Sequence, residues 1–340
     1  MTERLASQTA VTPLRRPRPA PYILLAVVDA FAAAVALIFA GGCLTGLAIG
    51  EHPEWRKLIA QPADRGLSAE LVRFPSTDGL TLSAWWITAS RDPRADVVLA
   101  HGHPGNRSHM LGRAAFLAEA GYNVLAMDLR AHGDSEGRYM TPGYKEADDV
   151  LAAVEYLRAA KHDRPVVLFG YSYGAVAVLH AASRSNELVV VIADAPFLSY
   201  VDFMHRIVDM VRSDPGASWL SKLGVGFVRC PGVLWLAGTE FYFRTGLYLN
   251  NKKIDALDAV PKMKGVPILF LAGERDAIAP AFNVQRLHDA ADSPRKRISV
   301  LSDATHSTYT KTTKPLYERA VLDFLDELFP RPSEDPGPAG

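Results

Sequence analysis

Three features of the sequence predict a doubly wound α/β fold on a mostly parallel sheet of about eight strands. Short apolar runs alternate with longer helical stretches from about residue 96 onward, the order that strand–helix–strand units produce. Those runs are continuously hydrophobic, as expected where helices cover both faces of a parallel sheet. Upstream, Thr77-Asp78-Gly79 separates two strand-like runs and reads as a hairpin turn, so the sheet begins with an antiparallel pair.

In chain order, the expected strands cover residues 71–76, 80–89, 96–102, 122–130, 165–172, 188–195, 266–273 and 297–303. Helices are expected near 109–120, 144–160, 173–184, 281–291 and 312–329. Residues 196–262 break the alternation and hold Trp219, Phe227, Trp235, Phe241, Tyr242, Phe243 and Tyr248 among polar residues. An insertion there lies where a cap over an active site would sit; ordinary helices packed on the core would have the same composition. The folded domain is assigned to 68–330, and the Pro/Gly-rich tail 331–340 is expected to be disordered.

Before the domain come a basic segment, 1–21, an apolar run, 22–50, and a polar linker, 51–67. The apolar run is long enough for a membrane-spanning helix, which needs about 20 residues. Arg4, Arg15, Arg16 and Arg18 precede it and a mixed flank follows, which puts the N-terminus in the cytoplasm and the domain on the extracytoplasmic side. A cleaved signal peptide and a lipid-processing site at Cys43 are the competing readings. Asp29 stands inside the run, as a snorkelling residue or a helix–helix contact.

Composition narrows the function. The 340 residues carry 37 Lys+Arg and 37 Asp+Glu with no basic stripe, which argues against a nucleic-acid partner. The two cysteines, Cys43 and Cys230, fall in different parts of the chain, so no disulfide is expected. No Cys-x-x-Cys or His/Cys cluster suggests zinc. His101-Gly102-His103 begins like a metallohydrolase motif, but Pro104-Gly105-Asn106 lacks the further ligands. No metal or cofactor is expected.

The chemistry centres on Gly170-Tyr171-Ser172-Tyr173-Gly174, between a strand and a helix. A serine on so tight a turn projects its hydroxyl clear of the backbone, and the crowding demands glycine two residues either side. A serine hydroxyl needs a base, and the base needs a carboxylate to orient it. Asp276 follows the strand in ILFLAGERDAIAP, with Asp194 and Glu274 as alternative acids. His306 follows the next strand, in SVLSDATHSTY, and all three would share the sheet edge where open α/β sheets bind ligands. The backbone N–H groups of Tyr173 and His103 are the expected oxyanion donors.

HGHPGN (101–106), DLRAHGDSEG (128–137), GYSYG (170–174), AGERDAIAP (272–280) and the late His306 together resemble the α/β-hydrolase superfamily over residues 68–330. Ala131 stands where that family usually has glycine, and the 128–137 segment is expected to shape the wall of the site. The hairpin and the apolar N-terminal run resemble a membrane-anchored subgroup of serine esterases, thioesterases and lipid hydrolases. The resemblance implies a serine hydrolase that cleaves an ester or thioester of a small-molecule or lipid-like, apolar acyl substrate. A catalytically silent binding or scaffold protein, and an amidase or peptidase on the same triad, are the alternatives.

Overall fold

The structure, a computed structural model, describes residues 27–32, 34–36, 53–160, 162–185, 187, 189–227, 231–248 and 252–331. One eight-stranded sheet organises it, in the order β1-β2-β4-β3-β5-β6-β7-β8. The strands are β1 (Ala69–Pro75), β2 (Thr81–Ile87), β3 (Ala95–Ala100), β4 (Tyr122–Met127), β5 (Val166–Tyr171), β6 (Val189–Asp194), β7 (Ile268–Gly273) and β8 (Lys296–Leu301). β2 runs antiparallel to both β1 and β4, and every other pair is parallel. The hairpin closes through Ser76 and Gly79, the latter at φ 85°, which only glycine adopts without strain.

Alternate residues of the central strands face opposite layers. Val98, Ala100, Val166, Leu168, Val191, Ile268 and Phe270 pack on one side, with α2 (Glu146–Ala159) and α3 (Tyr173–Arg184). Val97, Leu99, Val167, Phe169, Ile192 and Leu269 pack on the other, with α1 (Leu111–Glu119) and α8 (Lys314–Leu328). Both faces are dry, which is why these strands read as unbroken apolar runs.

Between β6 and β7 the chain forms α4 (Tyr200–Ser213), α5 (Trp219–Phe227) and α6 (Pro231–Thr245). Phe197, Leu198 and Phe241 dock this segment onto the α2/α3 layer. Trp219, Trp235 and Phe243 are exposed. After β7, α7 (Ala281–Ala290) returns to β8.

The expected spanning helix over 22–50 is corrected. Among the described residues no helix is long and apolar enough to cross a membrane. Residues 27–32 and 34–36 are helical and exposed, Asp29 among them. With the helix goes the basis for the membrane as a partner and for an extracytoplasmic domain behind an anchor. The segment 1–21, Cys43, Cys230 and the tail 332–340 lie outside the described residues. The polar stretch 53–57 packs on the domain: Arg56 donates to the carbonyls of Gly133, Ser135 and Gly137.

Candidate active site

The turn from β5 into α3 is built by exclusion of side chains. A Cβ on Gly170 would sit 2.1 Å from the Gly174 carbonyl oxygen. One on Gly174 would sit 2.5 Å from the carbonyl oxygens of Ala100 and His101. Ser172, between them, takes φ 52° and ψ −111°, strained for a residue with a Cβ. Its N–H donates to the Asp194 carbonyl at 2.7 Å, which pins the strained peptide to the end of β6.

From this turn the Ser172 hydroxyl reaches His306 Nε2 at 2.8 Å. His306 Nδ1 lies 2.8 Å from Asp276 Oδ2. Asp276 is buried, and its Oδ1 accepts the N–H groups of Ile278 and Ala279, both at 2.8 Å. With Nδ1–H donating to the carboxylate, Nε2 is left to accept the serine proton. The three residues named from the sequence thus form one hydrogen-bonded chain. The alternative acids stand apart from His306: Asp194 is taken up by Arg113, Thr308 and Tyr317, and Glu274 is an exposed residue that accepts from the Asp303 N–H.

Two backbone segments flank Ser172. Tyr173 opens α3, where the first N–H groups of a helix have no intrahelical acceptor. The loop after β3 passes on the other side: a Cβ on Gly102 would lie 3.3 Å from Ser172 Cβ. His103 is the next residue, and its imidazole belongs to a cluster of three histidine rings packed around His132. His132 Nδ1 faces the Arg130 carbonyl at 2.8 Å and must donate, so its Nε2 accepts from His103 Nδ1–H at 3.2 Å. His101 Nε2 accepts the Leu129 N–H, so its Nδ1–H donates to the Gly102 carbonyl. Burial holds His103 down to about 3, and holds His101 and His132 below the usual histidine range. All three are neutral at pH 7. Both ring nitrogens of His101 are thereby used in hydrogen bonds, and among the described residues no group of three or more side chains could hold a metal ion.

Sequence reasoning missed much of this support. Trp55 stacks on His132 at 5.1 Å and meets His103 edge-on at 4.4 Å, yet it stands in a stretch read as linker. Tyr171, read only as a filler of the Gly-x-Ser-x-Gly pattern, donates its hydroxyl to the His306 carbonyl at 2.9 Å. A cavity of about 320 Å³ borders the site, with Gly102, His103, Tyr171, Ser307 and Tyr309 in its lining.

The chain matches the model of the alpha/beta hydrolase family over residues 97–316, well over half its length. The quorum-quenching protein AidA of Acinetobacter baumannii is 39% identical, with 76% of this chain and 95% of that one covered. The alpha/beta hydrolase domain-containing protein WAV2 of Arabidopsis thaliana is 26% identical, covering 81% and 85%. Among solved structures, the esterase Pf2001 of Pyrococcus furiosus superimposes with a TM-score of 0.63 at 25% identity, covering 79% of this chain and 96% of that one. These similarities carry the hydrolase fold and esterase-like relatives. They give no support to the membrane-anchored subgroup, and that expectation is corrected with the helix it rested on. The chain belongs to the alpha/beta hydrolase family and is a serine hydrolase.

Proposed function

We propose that this enzyme hydrolyses carboxylic esters of apolar acyl groups through an acyl-enzyme on Ser172. The observation that carries the assignment of roles is the unbroken chain Ser172 Oγ–His306 Nε2–Asp276 Oδ2, with 2.8 Å at each link. Ser172 attacks the acyl carbonyl as His306 takes its proton. The N–H groups of Tyr173 and His103 hold the oxyanion. The C–O bond to the alcohol breaks, and His306 returns the proton to the departing oxygen. Water then attacks the acyl-enzyme, giving its proton to His306, and the acid leaves as Ser172 is reprotonated. Asp276 holds the neutral imidazole in the required tautomer and stabilises the imidazolium formed at each proton transfer.

The same proton transfer orients the substrate. His306 has to reach the leaving oxygen, so the alcohol belongs in the cavity beside Ser307 and Tyr309, on the loop that carries the base. The acyl chain then extends toward the aromatic helices of 196–262, in the role of a cap. Full-length wild type and Ser172→Ala, treated with a fluorophosphonate probe and assayed on p-nitrophenyl esters from acetyl to palmitoyl, test this reading. Labelling and turnover confined to wild type support it. A folded wild type that neither labels nor turns over any ester overturns it, and thioesters with the same acyl chains separate ester from thioester preference.

A further inference from the structure

We propose that Asp194, held by Arg113, positions His306 against Ser172 through Thr308; this rests on the triad reading above. Asp194 touches both halves of the reacting pair. Its backbone carbonyl accepts the Ser172 N–H at 2.7 Å, and its Oδ1 accepts the Thr308 hydroxyl at 2.7 Å, two residues beyond His306. Asp194 Oδ2 accepts from Arg113 Nη2 and from the Tyr317 hydroxyl, each at 2.7 Å. Arg113 Nε in turn donates to the Tyr317 oxygen at 2.8 Å. The nucleophile and the loop of its base are therefore tied to a single residue.

A second tether closes the arrangement. Tyr171 donates to the His306 carbonyl, and the Arg113 guanidinium lies 4.7 Å over the Tyr171 ring. Arg113 also faces the rings of Tyr309 and Tyr317, at 5.1 Å each. Stability alone is a poor reason for this cluster, because a buried ion pair is often no better than apolar residues of the same volume. Geometry is a better one. The His306 loop follows the edge strand β8 and is otherwise half-exposed, and a misplacement of about 1 Å in a catalytic group costs on the order of a hundredfold in rate.

Thr308 gives the cleanest test, since Thr308→Val keeps the shape and removes only the hydroxyl, which donates to Asp194 and accepts from Arg113 Nη2 at 3.3 Å. Asp194→Asn would leave Arg113 buried without a counter-charge, and loss of folding would confuse the result. Steady-state kinetics on p-nitrophenyl acetate would be compared for wild-type full-length protein, Thr308→Val, Thr308→Ser and Ser172→Ala, with a thermal melt of each. The expected result is a kcat about tenfold or more lower in Thr308→Val with KM within about twofold, restored by Thr308→Ser. A Thr308→Val enzyme with wild-type kcat overturns the proposal. So does a loss that Thr308→Ser fails to restore, or one expressed in KM alone. Turnover surviving in Ser172→Ala marks a failure of the triad reading instead, and so separates the two.

Discussion

Buried arginine–aspartate pairs lie in two regions, after β4 and at the end of β6, and they hold different kinds of thing. On the β4 side, Asp128 accepts the backbone N–H groups of Arg107 and Asp134 and pairs with the Arg107 guanidinium. Asp149 accepts the Arg130 N–H and pairs with its guanidinium, which reaches on to Asp78 in the hairpin. What is fastened there is loop backbone and arginine side chains, with no member of the Ser172–His306–Asp276 chain among them. On the β6 side, Arg113 and Asp194 fasten the loop of the general base. The chemistry of the two clusters is alike; what hangs from them decides whether a broken bond is felt as lost stability or as lost rate.

The sharpest contrast comes from the triad itself. Asp276→Asn should lower kcat by about 10⁴-fold, some 5 kcal/mol of barrier, with the melting temperature little changed. Asp149→Asn should do the reverse. It leaves the buried Arg130 charge with only the half-exposed Asp78 as its counter-charge, at a cost of up to about 3–5 kcal/mol in chemical unfolding, while the folded fraction keeps kcat within about threefold. A fall of more than tenfold in kcat for that variant would erase the distinction between the clusters.

A third experiment examines the hydrogen-bonded pair His103–His132. His103 is held down to about 3 in the fold and titrates near 6.5 when unfolded. Its contribution is therefore intact above about pH 6.5 and is lost as the pH falls toward 3, because only the unfolded chain takes up the proton. Asn presents a donor where Nδ1 was, so His103→Asn should keep the bond to His132 and flatten stability against pH by about 1.4 kcal/mol per unit in that window. An unchanged slope would show that this imidazole is not buried neutral. The smallest effect is expected far from either cluster: Phe243→Ser, at a side chain 80% exposed, should change stability by less than about 0.5 kcal/mol and leave turnover of the acetyl ester alone.

What could be read beforehand and what could not follow from the range of the interactions. All eight strands and the five sheet-flanking helices were legible, because period and burial are local properties of the chain. Ser172 was legible for the same reason, since its two glycines answer a clash within five residues. His306 and Asp276 could be found through strand order. The Asp194 cluster could not, because Arg113 stands far along the chain from Thr308 and Tyr317, and each resembles an ordinary surface residue in sequence. Trp55 was hidden by its polar neighbours. The run 22–50 misled because hydropathy measures what a segment could be buried in, and among the described residues no helix is long and apolar enough to cross a membrane. For 196–262, aromatic content suits a docked layer and a substrate-facing one equally, and both kinds of side chain are present: Phe241 is buried and Trp235 exposed.

The strained turn at Ser172 also bears on descent. Its φ of 52° costs a serine on the order of 1–3 kcal/mol that a glycine would escape. The glycines at 170 and 174 offer no such relief, because any side chain there collides with backbone. In a lineage released from selection for hydrolysis, drift should therefore take position 172 first, toward glycine, and leave its two neighbours in place. A silent descendant of this enzyme would be known by Gly-x-Gly-x-Gly at the elbow, and the surviving outer glycines would testify to ancestry without testifying to catalysis.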